Sequence, residues 1–363
     1  MSLLFAISSS ALMVYFILFI WFISGLKKSR KPLPGQQPQP STPLSVVIAA
    51  HNEQAVIADT LQDLLGQNYP SDRYEVIVAA DRCSDRTPHI VRAITEKYTN
   101  LHLIEIADCP PGVSPKKNAL RQAITAARWN HLILMDADCR CGPDYLQTFA
   151  RYFAEGIELL VNIPKVKGNN SILHQYLYLE RLLTWGIAAA GAGHRRPFLA
   201  FGGSWGYTRD LLHKAGGLER LSESLSGDDD LLVYRMGKLK PQMQVIRDPR
   251  GWVTTRLPES WKAFAVQRRR HHSAGKFYAP AVQAGYFLFH FSNLLLWILP
   301  VFYAPAIFTL LLKFGLDSIA LRTAGKLFRE KADIFGFLFW EPLYLLQHLL
   351  VAPLGFMGKI RWK

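Results

Sequence analysis

The sequence predicts an α/β fold: a mostly parallel sheet flanked by helices, with transmembrane helices at its N- and C-terminal ends. Three observations predict it. Between residues 44 and 135, apolar β-branched runs alternate with helix-period segments, the pattern of a parallel sheet covered on both faces. A dense apolar run, Ala11 to Ile23, lies near the start, and apolar sequence returns from about Ala281. Polar side chains, finally, sit where strands end, and open sheets of this kind bind ligands beyond the carboxyl ends of their strands.

Leu44 to Ala50 reads as the first strand, and Ile57, Leu61, Leu64 and Leu65 then recur at helical spacing until Gly66 and Pro70. Tyr74 to Ala80 is a second strand, and Thr87-Pro88 gives the next helix a cap and a first-turn proline. Leu101 to Ile106 is a third strand. Ser114-Pro115 starts a helix with Leu120, Ala123, Ile124 and Ala127 on one face, and Leu132 to Met135 is the fourth strand. Ile172 to Ile187, with Tyr176, Tyr178 and Trp185, is a hydrophobic helix. It either lies at a bilayer surface or is buried in the protein.

The first apolar run is followed by Lys27, Lys28, Arg30 and Lys31. About 20 apolar residues span a bilayer and flanking cations stay inside. A cleaved signal would carry its charge before the run, so a retained anchor is expected. At the other end, Phe287 to Leu312 is interrupted by Pro300 and Pro305, Arg322 to Asp333 is polar, and Ile334 to Phe356 is apolar again. Two or three further spans fit. Three would leave Lys359, Arg361 and Lys363 outside, whereas two spans, or a re-entrant segment broken at Glu341-Pro342, would keep them inside. A net charge of +14 lies largely beside the apolar segments, which favours a membrane surface over nucleic acid as its partner. Cys83, Cys109, Cys139 and Cys141 lack zinc spacing, and reduced thiols of a cytosolic protein are expected.

The chemistry centres on Asp136-Ala137-Asp138, which closes the fourth strand. Residues i and i+2 of a strand share a side, and two carboxylates there repel unless a cation intervenes. Mg2+ or Mn2+ bridging phosphate oxygens suits such a pair. The first strand delivers His51-Asn52-Glu53 and the second Asp81-Arg82-Cys83-Ser84-Asp85 to the same edge. Lys116 and Lys117 lie in a helix's first turn, where the macrodipole disfavours cations and backbone N–H groups favour anions. A phosphate would reconcile these tendencies; two solvated surface lysines are the alternative. Ser226-Gly227-Asp228-Asp229-Asp230 reads as a helix start, capped by Ser226 with Asp229 closing a capping box. That accounts for one or two acids and not the third, and crowded carboxylates raise a pKa toward that of a general base. Gln267-Arg268-Arg269-Arg270-His271 is either a positive-inside anchor or a diphosphate fork.

Taken in order, these motifs resemble glycosyltransferase family 2. The likeness covers about Pro43 to Tyr278, from Val47–Glu53 through Asp81/Asp85, the lysine helix, Asp136–Asp138, Gly202–Tyr207 and Gly227–Asp229 to Gln267–His271. It implies the GT-A (Rossmann-like) fold. It also implies a nucleotide-sugar site that includes Ala50, His51 and Glu53, with Asp81 on the nucleoside, Asp138 on the metal, and Asp136 at the donor end. Asp229 takes the place of the base, with Asp228 as the alternative register. Lys116, Lys117, Gln267, Arg268 and Arg270 then face the diphosphate. Where the family usually has tryptophan, this chain has His271, which leaves the acceptor open.

The expected organisation is an anchor over 1–26, a proline-rich linker over 27–42, a GT-A domain over 43–278 and a membrane region over 279–363. The expected activity is an inverting, metal-dependent sugar transfer from a nucleotide-diphosphate sugar to a lipid or lipid-linked hydroxyl. Mg2+ or Mn2+ would be the cofactor. The catalytic domain would sit on the cytoplasmic side of a multi-pass inner-membrane protein. A membrane-bound nucleotidyltransferase and a non-enzymatic basic scaffold are the alternatives.

Overall fold

A computed structural model describes residues 2–30, 41–169, 171–219 and 227–357. The proline run 32–40, the cap at Ser226 and the cations Lys359, Arg361 and Lys363 lie outside the described residues. In chain order the elements are α1 (Ser2–Lys28), β1 (Leu44–Ala50), α2 (Ile57–Leu65), β2 (Tyr74–Asp81), α3 (Thr87–Thr95), β3 (Leu101–Ile106), α4 (Pro115–Ala126) and β4 (His131–Met135). There follow β5 (Arg140–Cys141), α5 (Tyr145–Ala154), β6 (Leu159–Val161), β7 (Pro164–Lys167), α6 (Ile172–Gly193), β8 (Ser204–Thr208), α7 (Arg209–Lys214) and α8 (Asp230–Lys238). The last are β9 (Met243–Val245), β10 (Val253–Arg256), α9 (Trp261–Ser273), α10 (Pro280–Phe302), α11 (Ile307–Phe328) and α12 (Ile334–Gly355). Two compact units emerge, a sheet unit (41–169, 195–219, 227–258) and a helical unit (2–30, 171–194, 259–357). The segment expected as one domain over 43–278 is therefore divided: α6 and α9 belong with the terminal helices.

In the sheet unit, seven strands run in the order β3-β2-β1-β4-β8-β6-β9. β1 pairs in parallel with β2 and with β4. The chain reverses its direction of winding between β1 and β4, which places the topological switch, and the binding crevice, at their carboxyl ends. Val46, Val47, Ile48, Val76, Ile77, Val78, Ile133 and Leu134 are buried, as a sheet covered on both faces requires. β8 is antiparallel to β4, with Ser204 opposite Met135. β8 was not legible as a strand, because its Trp205, Tyr207 and Thr208 are only part of a short run that contains Gly206 and follows Gly202-Gly203. The pairing brings the residues preceding β8 to the tip of β4. A second sheet, β5-β10-β7, completes the unit.

In the helical unit, α1 packs against α6, α10 and α11, and α9 packs against α12. Four helices, α1, α10, α11 and α12, are long and apolar enough to cross a bilayer. The polar stretch from Arg322 begins inside α11. Leu321, Ala324 and Phe328 are buried at helical spacing and carry α11 on to Phe328. Of the two readings of α6, the buried one holds, since Tyr176, Leu177, Trp185 and Ala189 are fully enclosed. The α1–α6 crossing depends on missing side chains: a Cβ on Gly193 would fall 2.0 Å from the Gly25 carbonyl oxygen. Small residues permit such close approach between apolar helices. Lys313 is wholly buried and ion-paired with Asp317 (3.0 Å) and with Glu341. Tyr15 of α1 donates to Asp317 (2.6 Å) and Asn293 of α10 to Glu341 (3.0 Å). All four long apolar helices thus contribute to one polar cluster.

Candidate active site

β4 ends at Met135, so Asp136, Ala137 and Asp138 form a turn beyond the strand, closed by Cys139 N–H on the Asp136 carbonyl (3.2 Å). Ala137 is buried while both acids are partly exposed. The acids therefore sit on a turn and not, as expected, at i and i+2 of a strand. Because Ser204 faces Met135, the Asp136 N–H reaches the Gly203 carbonyl at 3.4 Å, and Gly202 arrives at the acids.

Lys116, in the first turn of α4, lies 3.0 Å from Asp136 Oδ1 and 2.8 Å from Asp228 Oδ2. The conflict between a cation and the helix dipole is thus resolved by two protein carboxylates, not by solvent. Burial works to lower the Lys116 pKa, but Asp136, Asp228 and Asp229 override it and hold the amine charged. Lys117 is buried beside it, and that burial pushes its pKa down to about 8 against the pull of Asp228 and Asp229.

The acidic run divides its labour. Asp228 is buried, and although burial opposes ionisation, Lys116 draws its pKa below the usual carboxylate range. Burial and the neighbouring Asp228 charge push Asp229 the other way, to about 6. Asp229 also caps α8, its Oδ1 accepting from Asp230 N–H (2.8 Å) and its Oδ2 from Gly202 N–H (2.8 Å). The capping-box expectation is therefore corrected, since the helix starts one residue after Asp229. The two acids of the ambiguous register thus differ in their partners. Asp228 pairs with Lys116, while burial and the Asp228 charge raise the Asp229 pKa.

The rim formed by β1 and β2 is laced together. His51 Nδ1 meets the Asp81 carbonyl at 2.6 Å, and Asn52, at φ +56°, accepts from Ser84 N–H (2.8 Å). Glu53 N–H donates to Thr87 (2.8 Å) and Gln54 N–H to Asp85 (3.0 Å). Ala50 ends β1 directly below this rim. The buried Asp81 carboxylate is forked by Arg82, at 3.1 and 2.9 Å, a partner that sequence reasoning missed.

Gln267, Arg268 and Arg270 lie on α9, in the helical unit. Arg268 is buried against Glu180 of α6 and contacts His271 (3.2 Å), while Arg269 donates to the Leu354 and Met357 carbonyls. Burial and the surrounding guanidinium groups keep His271 neutral. Arg268 and Arg269 therefore have partners within the helical unit; Arg270 is partly exposed.

A sequence profile described as glycosyltransferase like family 2 matches residues 40–274. The chain belongs to this family. The sheet order and the ordered motifs agree with it, and the fold is GT-A. Over 237 residues the chain is 26% identical to the probable glycosyltransferase YdaM of Bacillus subtilis (strain 168), covering 62% of this chain and 54% of YdaM. It is 28% identical over 160 residues to the beta-monoglucosyldiacylglycerol synthase of Synechocystis sp. (strain ATCC 27184 / PCC 6803 / Kazusa), covering 41% of this chain and 33% of the synthase. The chain thus spans about half, or less, of these relatives' length. Its fold is similar to that of the mannosyltransferase PcManGT from Pyrobaculum calidifontis, solved with GDP-Man and Mn2+. That match has a TM-score of 0.62 and 18% identity, over 97% of this chain and 98% of the other.

Proposed function

We propose that this chain is an inverting, metal-dependent glycosyltransferase moving a sugar from a nucleotide-diphosphate sugar to a lipid or lipid-linked hydroxyl. The observation that carries this reading is Asp229. It is a carboxylate with a pKa near 6, held by two backbone N–H groups, beside the ion-paired Asp136, Lys116 and Asp228. Asp229 takes the acceptor's proton as its oxygen attacks the anomeric carbon, and one in-line displacement inverts the configuration. Lys116 fixes Asp136 at the donor's sugar end, and Asp81 holds the nucleoside once Arg82 yields.

The acids at the tip of β4 offer carboxylate oxygens, the donor type that Mg2+ and Mn2+ prefer. Among the described residues no three His, Cys, Asp or Glu side chains gather into a metal cage. On the family resemblance Asp138 would hold the ion, and phosphate oxygens of the donor are common further ligands for such ions. The bound ion supplies positive charge for the leaving diphosphate. Gln267 and Arg270 are assigned to that diphosphate on the family spacing alone.

A lipid-type acceptor is supported by the four apolar helices and by the diacylglycerol named in the Synechocystis relative. Lys27 and Lys28 in the last turn of α1, with Arg30 just beyond it, support a cytoplasmic catalytic side at the inner membrane. The test is a donor screen. Purified protein in detergent with Mn2+ or Mg2+ is offered UDP- and GDP-sugars with diacylglycerol, and nucleotide release is measured. Release that depends on the ion supports the reading. Pyrophosphate release from a nucleoside triphosphate, with no reaction of any nucleotide sugar, would favour nucleotidyl transfer.

A further inference from the structure

Resting on the assignment of Asp229 as the base, we propose that Asp230 is a positioning residue: by holding the Ala200–Gly202 segment it keeps the Gly202 N–H on Asp229. The third acid of the run then has its own task. Asp228 Oδ2 takes Lys116 (2.8 Å), Asp229 Oδ2 takes Gly202 N–H (2.8 Å), and Asp230 Oδ1 takes Ala200 N–H (3.0 Å). Two consecutive acids at the start of α8 thus grip two N–H groups of one segment that leads into β8. This grip sets where Gly202 lies, and Gly202 is the point at which Asp136, Lys116 and Asp229 converge.

The segment is also held by Ser204 N–H on the Phe201 carbonyl (3.1 Å), by the long Asp136–Gly203 contact and by the burial of Leu199, Ala200 and Phe201. Neither bond reaches Ala200. Removing the Asp230 acceptor leaves the N–H of buried Ala200 without that partner, and the shift that relieves it loosens the Gly202 donor. A carboxylate that loses an N–H donor ionises less readily. Asp228, Asp136 and Asp230 face Asp229 with like charge, and Lys116 and Lys117 with opposite charge. The Asp230 charge must therefore be separated from its acceptor role. The rival account makes Asp230 only a first-turn acid that favours the α8 dipole.

Asp230→Asn and Asp230→Ala both remove the charge, but only the amide still accepts from Ala200. Ala200→Pro removes the donor from the other side. Nucleoside diphosphate release from UDP-glucose and GDP-mannose, with diacylglycerol as acceptor and MnCl2 in detergent, is followed across about pH 5 to 8.5 for wild type and variants. The expected result is that Asp230→Ala turns over about tenfold or more slowly than Asp230→Asn near neutrality, with similar donor KM. Its acidic limb should lie about one pH unit higher than that of the Asn variant. Ala200→Pro should reproduce that shift, and it decides the matter if Asp230→Ala does not fold. Equal rates and limbs in the Ala and Asn variants, or a wild-type limb in Ala200→Pro, would overturn the role of Asp230 while leaving the transferase reading intact. A wild type inert toward both donors, and toward the wider donor screen, would overturn that reading and this one with it.

Discussion

Adding one methyl group at Gly202 probes how tightly the proposed centre is assembled. A Cβ there would lie 3.2 Å from Asp136 Oδ2, 3.2 Å from Lys116 Nζ and 3.4 Å from Asp229 Oδ2. Unstrained contacts of this kind begin at about 3.5 Å, so the methyl must displace the ammonium, the carboxylate or the turn. Each displacement disturbs the 3.0 Å Lys116–Asp136 pair or the Gly202–Asp229 bond. Overpacking of this order costs about 1–3 kcal/mol. Falling on the transition state, that corresponds to about 5- to 150-fold in turnover. Gly142→Ala is the control, because a Cβ there meets nothing within 4 Å. The assay is turnover together with thermal melting for both variants. A Gly202→Ala protein with wild-type turnover would refute the proposed convergence. A lower melting temperature with intact turnover would assign Gly202 to folding instead.

Asp229→Asn should keep donor binding and lower turnover by about 100-fold or more; equal losses in both would make the residue structural. In the wild type the active form is ionised Asp229, whose pKa is raised to about 6, so turnover should fall as pH drops through about 6, earlier than for an ordinary carboxylate, and a flat profile down to about pH 4 would contradict the assignment. Asp138→Asn should weaken Mn2+ binding in the presence of GDP, read by the electron paramagnetic resonance of free Mn2+ and therefore independently of activity. Arg270→Lys keeps the charge but loses the fork, so turnover should fall with normal membrane insertion, whereas a residue that only anchors the chain would be served equally well by lysine. Lys313→Met leaves Asp317 and Glu341 buried without their cation and should cost about 3–5 kcal/mol, seen as loss of folded protein. Adding Asp317→Asn and Glu341→Gln should restore much of it, and no recovery would argue against charge balance as the cause.

The first half of the sheet was legible because its strands are short and apolar and two of its helices open on a first-turn proline. The cap expected at Thr87 is not found: Thr87 is the first residue of α3, and neither α3 nor α4 has a side-chain capping hydrogen bond. Leu44–Ala50, Leu101–Ile106 and the Ser114-Pro115 helix start lie where the pattern put them. Beyond Met135 the signal fades. β8 is five residues long with a glycine at its centre and a Gly-Gly pair just before it, and β6 has only three residues, so their identity as strands comes from pairing across the sheet. The acids and lysines of the site were visible as motifs, but their division of labour was not. That Asp228 rather than solvent takes Lys116 depends on α4 and α8 meeting in space. Arg82 on Asp81 and Glu180 on Arg268 left no sequence signature, because an ordinary arginine and a helical glutamate have no distinctive spacing. The four-helix polar cluster was equally hidden. Tyr15, Asn293, Lys313 and Glu341 are single polar residues in apolar runs, and only packing brings them together.

The most direct test of the central claim is the anomeric configuration of the product, measured by the proton coupling of the transferred sugar. Wild-type protein with Mn2+, an α-linked nucleotide sugar and a diacylglycerol acceptor should yield a β-linked glycolipid, and Asp229→Asn should yield essentially none. An α-linked product, or the same yield from Asp229→Asn, would contradict a single displacement with Asp229 as its base.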